Sequence, residues 1–158
     1  MLPVPILLVV MGSFSPSAIT QDSWARLYTR SLAACIQAKQ GKISNLGVVV
    51  VIKNAITDDP ALIYPRPQKI EAVTLEYLDG KSLVKRFRQN GREFQAIAIK
   101  PMINRREEVT VDCEDYIVSV RRRKLVLSVA GGTTVRWRFD LSSSDYVMTK
   151  IEPWRFGM

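Results

Sequence analysis

GGTTVRWRFDLSSSDYVMTKIE, residues Gly131 to Glu152, decides how the rest of the chain is read. Val135, Trp137, Phe139 and Leu141 alternate with Thr134, Arg136, Arg138 and Asp140. A period of two puts large apolar side chains on one face of a strand and polar ones on the other. Gly131-Gly132 before it and Ser142 to Asp145 after it read as turns, so the strand is expected to be paired on both sides.

Working outward, the chain from Ile70 reads as a meander. Val73, Leu75 and Tyr77 alternate with polar or small residues, and Asp79-Gly80 offers a tight hairpin turn. Leu83–Arg88 and Glu93–Ile99 read as two strands joined by a second hairpin signal, Asn90-Gly91. Pro101 to Arg106 breaks the pattern; Val109, Val111 and Cys113 then share one strand face. Tyr116–Val120 and Leu125–Val129 flank the tetrabasic Arg121-Arg122-Arg123-Lys124, read as a solvated hairpin tip. Upstream, Leu46 to Ile52 is continuously apolar, as in a strand covered on both faces. Asn54 to Pro67, with three prolines, reads as a surface loop, and its Asp58-Asp59 as a turn.

One helix is expected, capped by Asp22 or Ser23, running to about Lys39 and closed by Gly41. Trp24, Leu27, Tyr28, Leu32, Cys35 and Ile36 form its apolar stripe, so Cys35 points inward. Residues 1–20 carry no charge, and the apolar run Leu2 to Met11 is well short of the ~20 residues that span a bilayer. It has the length of the apolar part of a secretory signal, without the usual basic residue in front; the alternative is an apolar N-terminal arm of a cytoplasmic protein. Residues 21–158 are then a single globular domain. The expected fold is α+β: an N-terminal amphipathic helix on a curved, mainly antiparallel sheet of about seven or eight strands. In general shape that is cystatin-like or nuclear transport factor-like, or else a small closed barrel.

Charge is segmental. Lys81 to Arg106 holds eight basic residues against the single acid Glu93, a net of +7 within a chain of +8. The next nine residues, Glu107 to Asp115, hold five acids and no base. The fold decides whether these segments neutralise each other or leave a patch.

The absence of histidine removes Ser-His-Asp and Cys-His catalysis and most zinc sites. With only Cys35 and Cys113, far apart, no cysteine-rich metal site is available. The two cysteines, one on the helix stripe and one on an inward strand face, are expected to form a disulfide. Asp112 and Glu114 share a strand face and are the nearest thing to a carboxylate pair, but they read as neutralising partners for arginines. No phosphate loop, nucleophile elbow or metal motif is present, and no cofactor is expected.

The candidate site residues are therefore those of an anion-binding surface: Lys85, Arg86, Arg88 and Arg92 on the first basic strands, and Arg121, Arg122, Arg123 and Lys124 at the tip. The expected function is that of a small exported, non-enzymatic protein, periplasmic or extracellular, that serves as an interaction subunit of a cell-envelope assembly. Its partner is expected to be a protein, or an anionic lipid or polysaccharide surface; nucleic acid is disfavoured because aromatics interleave poorly with the basic residues. The alternatives are a carrier with an apolar cavity lined by Trp137, Phe139 and Tyr77, and a polyanion-binding module using residues 81–106.

Overall fold

In the computed structural model, which describes residues 21–43, 47–53, 66–100, 102–105 and 107–155, an eight-stranded mixed sheet is covered on each face by one helix. The order is α1 (Gln21–Ile43), β1 (Val48–Ile52), β2 (Lys69–Ile70), β3 (Val73–Leu78), α2 (Gly80–Asn90), β4 (Phe94–Ile99), β5 (Ile103–Arg105), β6 (Glu108–Arg121), β7 (Lys124–Asp140) and β8 (Asp145–Arg155). The expectations for residues 1–20 and for the loop containing Asp58-Asp59 lie outside the described residues.

The strands run β2-β3-β1-β4-β6-β7-β8, with β5 continuing the edge of β6 beyond β4. The sheet is open, not a barrel. It is mainly antiparallel, as expected, but mixed: β1 lies parallel to both β3 and β4. That arrangement needs a crossover from β3 to β4, and α2 supplies it. The apolar run of β1 is covered on both faces as expected: Val49 and Val51 pack with α1, Val50 and Ile52 with α2.

The crossover corrects the sequence reading, which takes Leu83–Arg88 as a strand between two hairpin turns. Asp79 is the helix N-cap, its Oδ1 accepting the Ser82 N–H at 2.8 Å, and that bond holds its carboxyl below the usual range. Gly91, at φ 66°, ends the helix in the left-handed region and donates its N–H to the Phe87 carbonyl. Asp-Gly and Asn-Gly serve caps as well as type I′ turns, because both need a short polar acceptor beside a permissive glycine. Leu83, fully buried, with Val84 and Phe87, supplies a helical face rather than an alternating one. Burying a leucine of this kind contributes about 2 kcal/mol.

On the other face α1 runs through Gly41 to Ile43, further than the glycine suggests. Its stripe packs as expected: Leu27 and Cys35 over β6 and β7, Tyr28, Leu32 and Ile36 over β1 and β3. Positions four apart then anchor it to successive strands. Ser31 accepts the Trp137 Nε1–H at 2.9 Å in the core, Cys35 is disulfide-bonded to Cys113 with Cα atoms 6.4 Å apart, and Lys39 pairs with Asp115. The bridge closes 78 residues, worth about 4.5 kcal/mol on the chain-entropy model. Arg30 covers the Trp137 ring at 4.6 Å and reaches Asp145 at 3.1 Å.

Gly131-Gly132 is not a turn. β7 runs straight through it, and Ala130 is a bulge: Asp115 pairs with Gly131 but Tyr116 with Val129. One extra residue reverses which face the odd positions take. Leu125, Leu127 and Val129 therefore face α2, whereas Val135 and Trp137 face α1. A side chain at Gly132 would lie 2.5 Å from both the Cys113 carbonyl and the Trp154 ring, so only glycine fits there. Leu141, expected inward, sits in the turn after β7 and is 81% exposed.

Candidate anion-binding surface

The acids of residues 107–115 and the cations around them settle the charge question first. On the sheet face opposite α1, β6 to β8 carry a lattice of ion pairs. Arg136 lies between Glu108 and Glu152, 3.0 Å from each, and Lys150 reaches Glu152 at 2.6 Å. These pairs raise the Arg136 pKa and lower that of Glu152. Asp112 accepts from the Thr134 hydroxyl at 2.6 Å, and Glu114 pairs with Lys100 at 3.0 Å and accepts from Tyr116. Burial, aided by that contact, pushes the Tyr116 hydroxyl up to about 12. Arg138 and Glu107 are 3.7 Å apart. Asp112 and Glu114 do share a face, with Thr134 and Lys100 as partners rather than arginines. Asp115 turns to the other face and holds Lys39 of α1. Burial keeps that ammonium down at about 8, so the carboxylate offsets only part of what desolvation takes away.

All five acids are thus engaged by partners outside α2. The cations of α2 divide by helix geometry. Arg86 leans to the β3 side and pairs with Glu76. Lys81, Lys85 and Arg88 recur every three to four residues on the opposite flank, and Arg92 extends that row just past the helix end; all four are exposed. The sequence reading places Arg86 and Arg88 on one strand face; the structure puts them on opposite flanks, and it adds Lys81.

The tetrabasic segment is a hairpin tip, as expected. Arg122 and Arg123 occupy the two turn positions at φ 48° and 66°, the pattern of a type I′ turn. Arg121 and Lys124 close the ladder, and all four side chains are exposed. The tip adjoins α2: a side chain at Gly80 would touch Leu125 at 3.8 Å. The row from Lys81 to Arg88 then leads away from the tip along about 10 Å of helix. Among the described residues no ion pair engages Lys81, Lys85, Arg88, Arg92, Arg121, Arg122, Arg123 or Lys124. Leu127, an exposed apolar residue, lies on the α2 side of β7.

Sequence reasoning counted Lys81 in the basic segment but left it out of the candidate site, and it missed Leu127. The first was legible in the spacing 81, 85, 88 against Leu83, Val84 and Phe87. The second depends on the bulge at Ala130, whose only sequence signal, the adjoining Gly131-Gly132, reads equally well as a turn. Trp137 and Phe139 pack under α1 in one cluster and Tyr77 joins the next. The Tyr77 hydroxyl donates to the Pro67 carbonyl at 3.1 Å, and burial raises its pKa. An open groove of about 520 Å³ lies elsewhere, between Glu107, Arg138, Leu141 and Val147.

Among the described residues no three His, Cys, Asp or Glu side chains cluster as metal ligands, and no helix is long and apolar enough to cross a membrane. No protein-family model, curated protein or solved structure matches the chain.

Proposed function

We propose that this chain is a non-enzymatic interaction protein of a non-reducing compartment, periplasmic or extracellular, that docks an anionic partner within an envelope assembly. One observation carries the reading: among the described residues no ion pair engages the exposed cations of the α2 flank and the β6–β7 tip, while those of the β6–β8 lattice are paired. Unpaired cations gathered at one end of a molecule repel one another, and a polyanion relieves that repulsion. Two arginines in a type I′ turn, where Asn-Gly is favoured, point the same way: the backbone tolerates strain to hold charge at the tip. Export rests on the buried Cys35–Cys113 bridge and on the apolar residues 1–20. N-terminal sequencing of natively expressed protein should find a mature chain beginning near Ile19 to Gln21; Met1 on a cytoplasmic pool would contradict export.

The test of the surface is retention on immobilised heparin. The wild type should bind at low salt and elute steeply as salt rises. Reversal of four cations (Lys85→Glu, Arg88→Glu, Arg122→Glu, Arg123→Glu) should abolish retention without unfolding the protein. Equal retention of the reversed protein would remove the basis for the proposal.

A further inference from the structure

The first half of β7 has a property that charge alone does not explain. β8 pairs with β7 only from Gly131 to Asp140, so among the described residues nothing pairs with Lys124–Ala130 on the side away from β6. The two-residue turn fixes which backbone groups face that side. Arg121 and Lys124 close the turn as a hydrogen-bonded pair, and pairs alternate from there. Leu125, Leu127 and Val129, opposite Val120, Val118 and Tyr116, therefore turn their N–H and C=O groups outward. Native sheets usually blunt such an edge with proline, bulges or inward charge, and here the edge's one bulge, Ala130, lies at the end far from the tip. Here the edge sequence, KLVLSVA, is strongly strand-forming, and the flanking charge is of one sign.

Resting on the anionic-partner reading above, we propose that Lys124–Ala130 is an acceptor edge for an extended acidic segment of a partner protein, which adds a strand to the sheet. Backbone pairing with Leu125, Leu127 and Val129 supplies the affinity. Alternate apolar residues of the incoming strand meet Leu127 on the α2 face. Its carboxylates, on the opposite face, meet Arg121 and Lys124 at the tip, which sets partner choice and speeds encounter. A bilayer is the poorer occupant, because outward-facing backbone groups at an open edge cannot be satisfied in hydrocarbon. Nucleic acid lacks a stacking platform here: Phe87, Phe94 and Tyr116 are half-buried, and Phe94 and Tyr116 pack on the α2 cluster.

The experiment is amide hydrogen exchange on the full chain, with and without a synthetic peptide of alternating glutamate and valine. Saturating peptide should slow exchange of the Leu125, Leu127 and Val129 amides at least tenfold. Leu127→Pro removes an outward N–H that β6 does not use, so it should weaken peptide binding at least tenfold while heparin retention persists. Peptide binding with no change in those three amides would overturn the edge and leave the anionic-partner reading standing. Protection of the same amides by phosphatidylglycerol vesicles, but not by the peptide, would replace the strand with a membrane. If neither heparin nor the peptide binds, both readings fall.

Discussion

The ion-pair lattice on β6–β8 and the basic end formed by α2 and the β6–β7 tip use the same side chains for different ends. In the lattice Lys100, Arg136, Arg138 and Lys150 each face a carboxylate within 4 Å. At the basic end Lys85, Arg88, Arg122 and Arg123 face none. The acids that follow the basic segment in sequence do not neutralise it, because β6 carries them to the far half of the sheet. Charge in a sequence is a count; its availability is a matter of strand pairing.

The comparison predicts a graded series of stability effects. Asp115→Ala should be the most severe, about 3 kcal/mol, because it leaves the buried Lys39 ammonium without its carboxylate. Lys39→Met should be far milder, and urea unfolding of the two variants would separate them. The pH dependence follows from the same residue. Its folded pKa, about 8, lies below the unfolded value near 10.5, so between those limits the unfolded state holds more protons. Stability from this group should rise with pH across that window, and Lys39→Met should flatten the rise.

Next in size is the turn. Replacing Arg122 with Asn and Arg123 with Gly should stabilise the hairpin by about 1 kcal/mol, since both positions are left-handed. The same change should weaken heparin binding about tenfold, a loss of affinity with a gain in melting temperature. If stability falls with binding, the arginines are structural and the contrast with the lattice fails.

Arg136→Ala should cost less than the turn change gains, by removing the shared partner of two partly exposed carboxylates, with heparin binding unchanged. Smallest of all, Lys85→Ala and Arg88→Ala should each alter stability by less than about 0.5 kcal/mol. A larger loss at either position would mean that it has a hidden partner.

Local patterns were legible in the chain and long-range ones were not. The alternation of Val135, Trp137 and Phe139 declares a strand, because a period of two needs only adjacent residues. The α1 stripe and the inward face of Val109, Val111 and Cys113 were equally clear, and together they gave the disulfide. α2 was lost because Asp79-Gly80 and Asn90-Gly91 suit a helix cap and a hairpin equally well. Arg86 and Arg88 share a face at the strand period and part company at the helical one, so the same error put Arg86 beside Arg88. The bulge at Ala130 and the parallel setting of β1 depend on partners distant in sequence. So does the fate of the acids: whether Glu107 to Asp115 face α2 or Arg136 is decided only when β6 meets β7.

The most direct test is a residue-resolved NMR titration of the intact protein with a short heparin oligosaccharide. The account predicts shift changes confined to Lys81, Lys85, Arg88, Arg92 and Arg121–Lys124, with Arg136, Arg138 and Lys150 unmoved. Changes centred on the β6–β8 lattice, or spread evenly over both regions, would contradict it.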